Sequence, residues 1–91
     1  MMRKEEIFTQ KWHYTEKYVS LSLQKLQVEY RIYPKNDGYE VRCKYTQERP
    51  YILGKYHSLR EAQYCVYATL MQCIIYKDEK YYIQYTRKTD V

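Results

Sequence analysis

Val28, Tyr30 and Ile32 alternate with Glu29, Arg31 and Tyr33. That is the period of a β-strand with one face buried. Pro34 is expected to stop this strand, and Asn36-Asp37-Gly38 supplies residues that tolerate positive φ in a tight turn. Beyond the turn, Tyr39, Val41, Cys43 and Tyr45 alternate with Glu40, Arg42, Lys44 and Thr46. Gln47-Glu48-Arg49-Pro50 marks a second turn, and residues 51–56 read as a third strand. Gly54 inside that strand signals a bulge or a close backbone approach. The economical arrangement is an antiparallel meander.

A helix is expected next. Ser58 and Glu61 have the spacing of a capping box, in which the Ser hydroxyl accepts from the N–H of residue 61 and the Glu carboxylate reaches back to the N–H of residue 58. Leu59, Ala62, Val66, Leu70 and Cys73, joined by Cys65 and Thr69, form an apolar stripe that can cover the Val41/Cys43 side of the sheet. Over residues 70–76 (LMQCIIY) the pattern is apolar nearly all round, as in a helix buried on more than one side. Residues 77–80 read as a polar turn and residues 81–87 (YYIQYTR) as a final strand.

The N-terminal third is less regular. Ile7, Phe8 and Trp12 recur at helical spacing, which predicts a short amphipathic helix over roughly residues 3–14. Val19, Leu21 and Leu23 alternate, then the phase shifts to Leu26 and Val28. Both a strand with an irregularity and a helix end running into a strand fit residues 13–27. The predicted fold is therefore α+β. A three-stranded or larger antiparallel sheet packs on one main helix at about residues 58–75, with an N-terminal helical segment and a C-terminal strand. At 91 residues the chain is expected to form a single domain, 1–91, with a small core.

Composition narrows the function classes. The chain carries 14 Tyr, one Trp and one Phe, and a net charge of +5. Between residues 30 and 60 stand seven Lys/Arg against three Asp/Glu, so most of the excess lies on the predicted sheet and its turns. A basic surface favours acidic partners such as nucleic acid, acidic proteins or anionic lipid. No stretch approaches the roughly 20 apolar residues of a membrane span, and no apolar run follows the charged start, so neither a membrane segment nor a secretory signal is expected. Cys43, Cys65 and Cys73 show no CxxC spacing and are read as reduced thiols, mostly core fillers, in a cytoplasmic protein.

Catalytic chemistry finds little support. His57 beside Ser58, with Cys65 on the following helix, is the nearest approach to a Cys–His pair. Cys65 falls on the apolar stripe and points inward, and a nucleophile needs a base held by a third group. The two His and three Cys lack zinc-ligand spacing, and Gly38 and Gly54 are the only glycines, so there is no phosphate loop. No enzyme activity, cofactor or metal is expected.

If Val28, Tyr30, Ile32, Val41, Cys43 and Tyr45 face the helix, the opposite face presents Glu29, Arg31, Tyr33, Glu40, Arg42 and Lys44. The third strand is expected to add Tyr51 and Lys55. Arg can bind guanine O6 and N7 bidentately, and Lys and Tyr can reach phosphates. These are the candidate nucleic-acid-binding residues, with duplex DNA as the partner.

Residues 30–68 also resemble the plant ethylene-response-factor type DNA-binding domain and the related arm-binding domains of tyrosine-recombinase integrases. The matching residues are Tyr30-Arg31, Gly38-Tyr39-Glu40-Val41-Arg42, Leu53-Gly54-Lys55-Tyr56 and Ser58-Leu59-Arg60-Glu61-Ala62, with Ala68 further on. The resemblance implies three strands packed on one helix, with exposed sheet residues entering the major groove. The plant domains carry more Arg and Trp on that face, and Glu40 is a departure from it.

A second functional reading starts from the Tyr content. Tyr is enriched at binding hot spots, and Tyr14, Tyr18, Tyr64, Tyr67 and Tyr76 can form an exposed aromatic surface beside the apolar end of the helix. Tyr64, Tyr67 and Tyr76 are the candidate protein-interaction residues. The chain would then be a small adaptor or inhibitor of a host protein, like phage- or plasmid-type effectors in size and composition. The apolar helix end could alternatively mediate a homodimer.

Overall fold

The computed structural model describes residues 4–76. The element order is α1 (Lys4–Phe8), β1 (His13–Tyr14), β2 (Val19–Leu23), a 3₁₀ turn (Gln24–Leu26), β3 (Val28–Lys35), β4 (Gly38–Tyr45), β5 (Tyr51–Tyr56) and α2 (Leu59–Tyr76). The strands form one antiparallel sheet in the order β1-β2-β3-β4-β5, with α2 packed across one face. The α+β expectation holds, and the sheet is wider than the three strands of the minimal meander. The expected strand at residues 81–87 lies outside the described residues.

Alternation sets the two faces. Leu21, Leu23, Val28, Tyr30, Ile32, Val41 and Cys43 are buried under α2, which contributes Ala62, Val66 and Leu70. Ile7 of α1 completes this core. Full burial of each aliphatic side chain contributes about 1.5–3 kcal/mol. Trp12 packs at the margin and donates Nε1–H to the Tyr67 hydroxyl at 2.8 Å, tying the N-terminal segment to α2.

The N-terminal helix is shorter than the periodicity predicts. It ends at Phe8, where the Thr9 hydroxyl and the Gln10 amide both donate to the Glu6 carbonyl and satisfy an end group that a further turn would otherwise use. Residues 13–27 resolve as two short strands, β1 and β2, followed by the 3₁₀ turn, which is the strand-with-irregularity alternative. Thr15 closes the β1–β2 turn, its hydroxyl donating to the Tyr18 carbonyl at 2.8 Å and accepting from the N–H of Lys17 and Tyr18. The phase shift between Leu23 and Val28 is the 3₁₀ turn, which ends on Gln27 in the left-handed region at φ 52°.

Pro34 does not stop β3, which runs on to Lys35. β2 reaches β3 only as far as Ile32, so Pro34 lies where β3 has a neighbour on one side alone, and a missing N–H is tolerated there. Lys35 pairs with Gly38, leaving Asn36-Asp37 as a two-residue loop. Of the three turn residues only Gly38 takes positive φ, at 147°, and a Cβ there would run into the Tyr56 carbonyl oxygen. The Gly54 signal marks a bulge: Val41 pairs with Gly54 but Arg42 pairs with Ile52, so Leu53 is the extra residue.

α2 begins with the serine half of the expected capping box, and no hydrogen bond from the Ser58 N–H to the Glu61 carboxylate forms among the described residues. The Glu61 N–H donates to the Ser58 hydroxyl at 3.1 Å and the Ala62 N–H to the Ser58 carbonyl at 3.1 Å. Cys65 of α2 lies beside Tyr56 of β5, and its interaction, with burial, pushes the Tyr56 phenol up to about 12. Cys43 and Cys65 form no disulfide, Cys43 being buried and Cys65 half-buried, and the side chain of Cys73 lies outside the described residues.

Ser58→Ala should cost about 1 kcal/mol, as lost N-caps do. Gly38→Ala should cost more, about 2 kcal/mol or above, because it adds backbone strain to a clash with main chain. Urea melts of the two variants beside the parent check the ranking; a Gly38→Ala protein as stable as the parent would contradict the turn geometry.

Candidate nucleic-acid interface

The face of the sheet away from α2 is laid out by register. One row runs Ser20, Arg31, Arg42, Ile52 across β2, β3, β4 and β5. A second runs Tyr33, Glu40, Lys55, and a third Ser22, Glu29, Lys44. Tyr18, one residue before Val19, joins the second row, with its ring 5.5 Å from that of Tyr33. Arg31, Tyr33, Arg42, Lys44 and Lys55 are therefore brought onto one surface, as the alternation predicts.

Tyr51 is not among them. It pairs with Cys43, whose side chain is buried under α2, so Tyr51 belongs to the helix side of the edge strand, where it is 45 % exposed. The Leu53 bulge inverts the phase between Tyr51 and Lys55; two residues of the same parity end on opposite faces. Ile52 takes the place expected for Tyr51.

The two central arginines are held in defined poses. Arg31 Cζ lies 4.4 Å from the centroid of Tyr18, its Nε 3.2 Å from Glu29 Oε1, and its Nη1 donates to the Tyr33 hydroxyl at 3.3 Å. Arg42 Cζ lies 4.6 Å from the Tyr33 centroid, and its Nε donates to Glu40 Oε2 at 2.6 Å. The terminal nitrogens of Arg42 make no hydrogen bond to a described residue. Contact of a guanidinium with an aromatic face contributes about 0.5–1 kcal/mol at exposed sites. It also limits the rotamers of a long side chain in advance of binding.

Glu40 is the unusual member. It is a carboxylate only 5 % exposed on the face away from α2. The hydrogen bond from Arg42 holds its carboxyl below the ordinary carboxylate value. Burial pushes the other way, and the charges of Arg42, Lys35 and Lys55 reinforce the lowering. Lys44 donates to the Thr46 carbonyl at 3.4 Å and, like Lys55, is exposed.

Among the protein-interaction candidates, Tyr64 is 65 % exposed on α2. Tyr67 is engaged, with its ring 5.1 Å from Phe8 and edge-on to Trp12 at 5.9 Å. The side chain of Tyr76 lies outside the described residues. Tyr18 sits on the sheet, not beside the helix end. The signal was present in the sequence: once Val19, Leu21 and Leu23 are read as a buried strand edge, Tyr18, Ser20 and Ser22 must take the other face.

Among the described residues no group of three or more His, Cys, Asp or Glu could hold a metal ion, and no helix is long and apolar enough to cross a membrane. His57 is exposed, and Cys65 lies beside Tyr56 instead. Comparison of the chain with protein-family models, with curated proteins and with solved structures finds no match.

Because its folded pKa is depressed, Glu40 contributes stability that is present above the ordinary unfolded value of about 4.3 and is lost as pH falls through the folded value. An NMR titration of the side-chain carboxyl should place Glu40 below the ordinary range. In Glu40→Gln that acid-sensitive component should disappear, so the urea midpoint should fall less between neutral pH and pH 3 than in the parent. Equal acid dependence in the two proteins would contradict the pairing.

Proposed function

We propose that the protein binds duplex DNA without catalysis, through the Arg31/Arg42 face of the sheet. The observation that carries this reading is the direct cross-strand pairing of Arg31 with Arg42 at the centre of that face. Like charges directly opposite one another weaken a sheet. Glu29 and Glu40 offset the repulsion through the Nε positions, and the outward ends of the guanidinium groups remain for a ligand. A polyanion relieves the remaining repulsion; a neutral partner does not.

Size limits how the face can dock. Strands are spaced about 4.8 Å apart, and the major groove is about 12 Å wide and admits a two-stranded ribbon. The β3–β4 hairpin, carrying Arg31, Tyr33, Arg42 and Lys44, has that width. The small Ser20 and Ser22 on β2 leave one flank low, and Lys35 and Lys55 stand near its tip for phosphate contact. The resemblance to the plant ethylene-response-factor type domain supports the same docking mode, with Arg42 on β4, the middle strand of the β3–β5 meander, as base reader and Lys44 on the backbone.

A second reading, a small protein-binding adaptor or inhibitor, is favoured by one observation, the exposure of Tyr64 on the outer side of α2. It uses a different surface, so the two readings separate cleanly in one experiment.

Titration of labelled duplex by fluorescence anisotropy at two salt concentrations tests the first reading. Affinity should fall with salt by a log–log slope of about −0.9 per phosphate neutralised. Arg42→Ala should cost roughly 1–3 kcal/mol on a selected site and less on random duplex, and Lys44→Ala should weaken all sequences about equally. Absence of duplex binding at low salt, or binding indifferent to Arg42→Ala, would reject the sheet face and leave Tyr64 as the surface to probe.

A further inference from the structure

The same face carries a feature that bears on which form of nucleic acid it accepts. Proteins that hold single strands do so largely by stacking bases on exposed aromatic rings. Among the described residues Tyr18 and Tyr33 are the tyrosines of this face, and each has a guanidinium over its ring, Arg31 on Tyr18 and Arg42 on Tyr33. The two rings also lean against each other at an interplanar angle of 50°. We propose that the face selects duplex and rejects single-stranded nucleic acid. In this arrangement Arg31 and Arg42 are lids on the two rings, and Glu40 is the positioning residue that keeps the second lid shut. The inference rests on the reading of this face as a nucleic-acid site.

The physical argument runs through Glu40. A base can stack on Tyr33 only if the Arg42 guanidinium leaves the ring. Leaving the ring in that way strains or breaks the 2.6 Å charge-assisted bond to Glu40 Oε2 and uncovers a carboxylate that is otherwise 5 % exposed. That carboxylate would then face the incoming strand without its partner, and a carboxylate beside phosphate is repulsive. The closed lid, by contrast, presents N–H donors from the end of the guanidinium. Acceptors on a base edge or a phosphate meet such donors end-on. A duplex offers both while its bases stay stacked among themselves; a single strand has most to gain from the stacking that the lids prevent.

The test compares a labelled mixed-sequence 20-mer single strand with its own duplex, by anisotropy at low salt, on the full chain. The parent should prefer duplex by roughly tenfold or more, the order of difference expected when stacking is denied to a single strand. Arg42→Ala should move the two ligands in opposite directions, duplex binding falling and single-strand binding rising several-fold as Tyr33 is uncovered. A 2-aminopurine in the strand should be quenched in the variant more than in the parent. Arg42→Lys, which keeps the charge without the planar lid, should also gain single-strand binding and guards against misfolding of the alanine variant. Glu40→Gln retains an oxygen for Arg42 Nε, so it should keep the duplex preference while tightening both ligands. Glu40→Ala should narrow the preference.

Parallel loss of both ligands in Arg42→Ala and Arg42→Lys, or equal binding of both forms by the parent, overturns the inference and leaves nucleic-acid binding standing. Failure of the parent to bind either form overturns both.

Discussion

A one-residue slip of β4 against β3 would turn Val41 and Cys43 out to water and drive Arg42 and Glu40 into the core under α2. The register of this hairpin is the constraint on which the rest of the molecule depends. It is held at one end by the Asn36-Asp37 loop and at the other by the pairing of Val28 with Tyr45. At the loop end the main chain of Gly38 comes against the carbonyl of Tyr56, so the turn also sets where β5 and the start of α2 lie. Core and basic face are two sides of one register, and neither can be altered without the other.

That coupling explains how a small domain tolerates two arginines paired directly across its central strands. The helix-side residues at adjacent positions, Tyr30, Ile32, Val41 and Cys43, are fully buried, and their burial stabilises the pairing that places Arg31 against Arg42. On the outer side the repulsion is offset locally. Glu29 and Glu40 each take one Nε, and Tyr18 and Tyr33 each take one guanidinium face. The resulting surface is ordered in advance: acid, ring and cation interlock, and the cations' outward ends are what a partner meets.

The tyrosines divide by the same logic. Tyr30 is buried, Tyr67 is locked by Phe8 and Trp12, Tyr56 lies beside Cys65 of α2, and Tyr18 and Tyr33 support arginines. Each uses the ring for packing or for a cation, and several use the hydroxyl for a hydrogen bond. Five of the 14 Tyr thus have a packing or cation-holding role, while Tyr14 on β1 and Tyr64 on α2 are exposed rings.

Alternation alone was enough to assign β3, β4 and the membership of their outer face, because a period of two admits one division of side chains whatever the strands pack against. The Ser58 cap was legible for a similar reason, since its chemistry is local to four residues. What the chain could not disclose lay wherever a distant contact chose between local options. The short α1 and the β1–β2 hairpin depend on Trp12 docking on Tyr67, 55 residues away. Pro34 is admitted to β3 because β2 ends before it. The side taken by Tyr51 depends on a bulge whose position, Leu53, is defined only against β4. The burial of Glu40 beneath Arg42 and the covering of Tyr18 and Tyr33 by guanidinium groups arise from side chains on three neighbouring strands. Residue types and their period were written in the sequence, but which charge would meet which ring was decided only when the strands were brought into register.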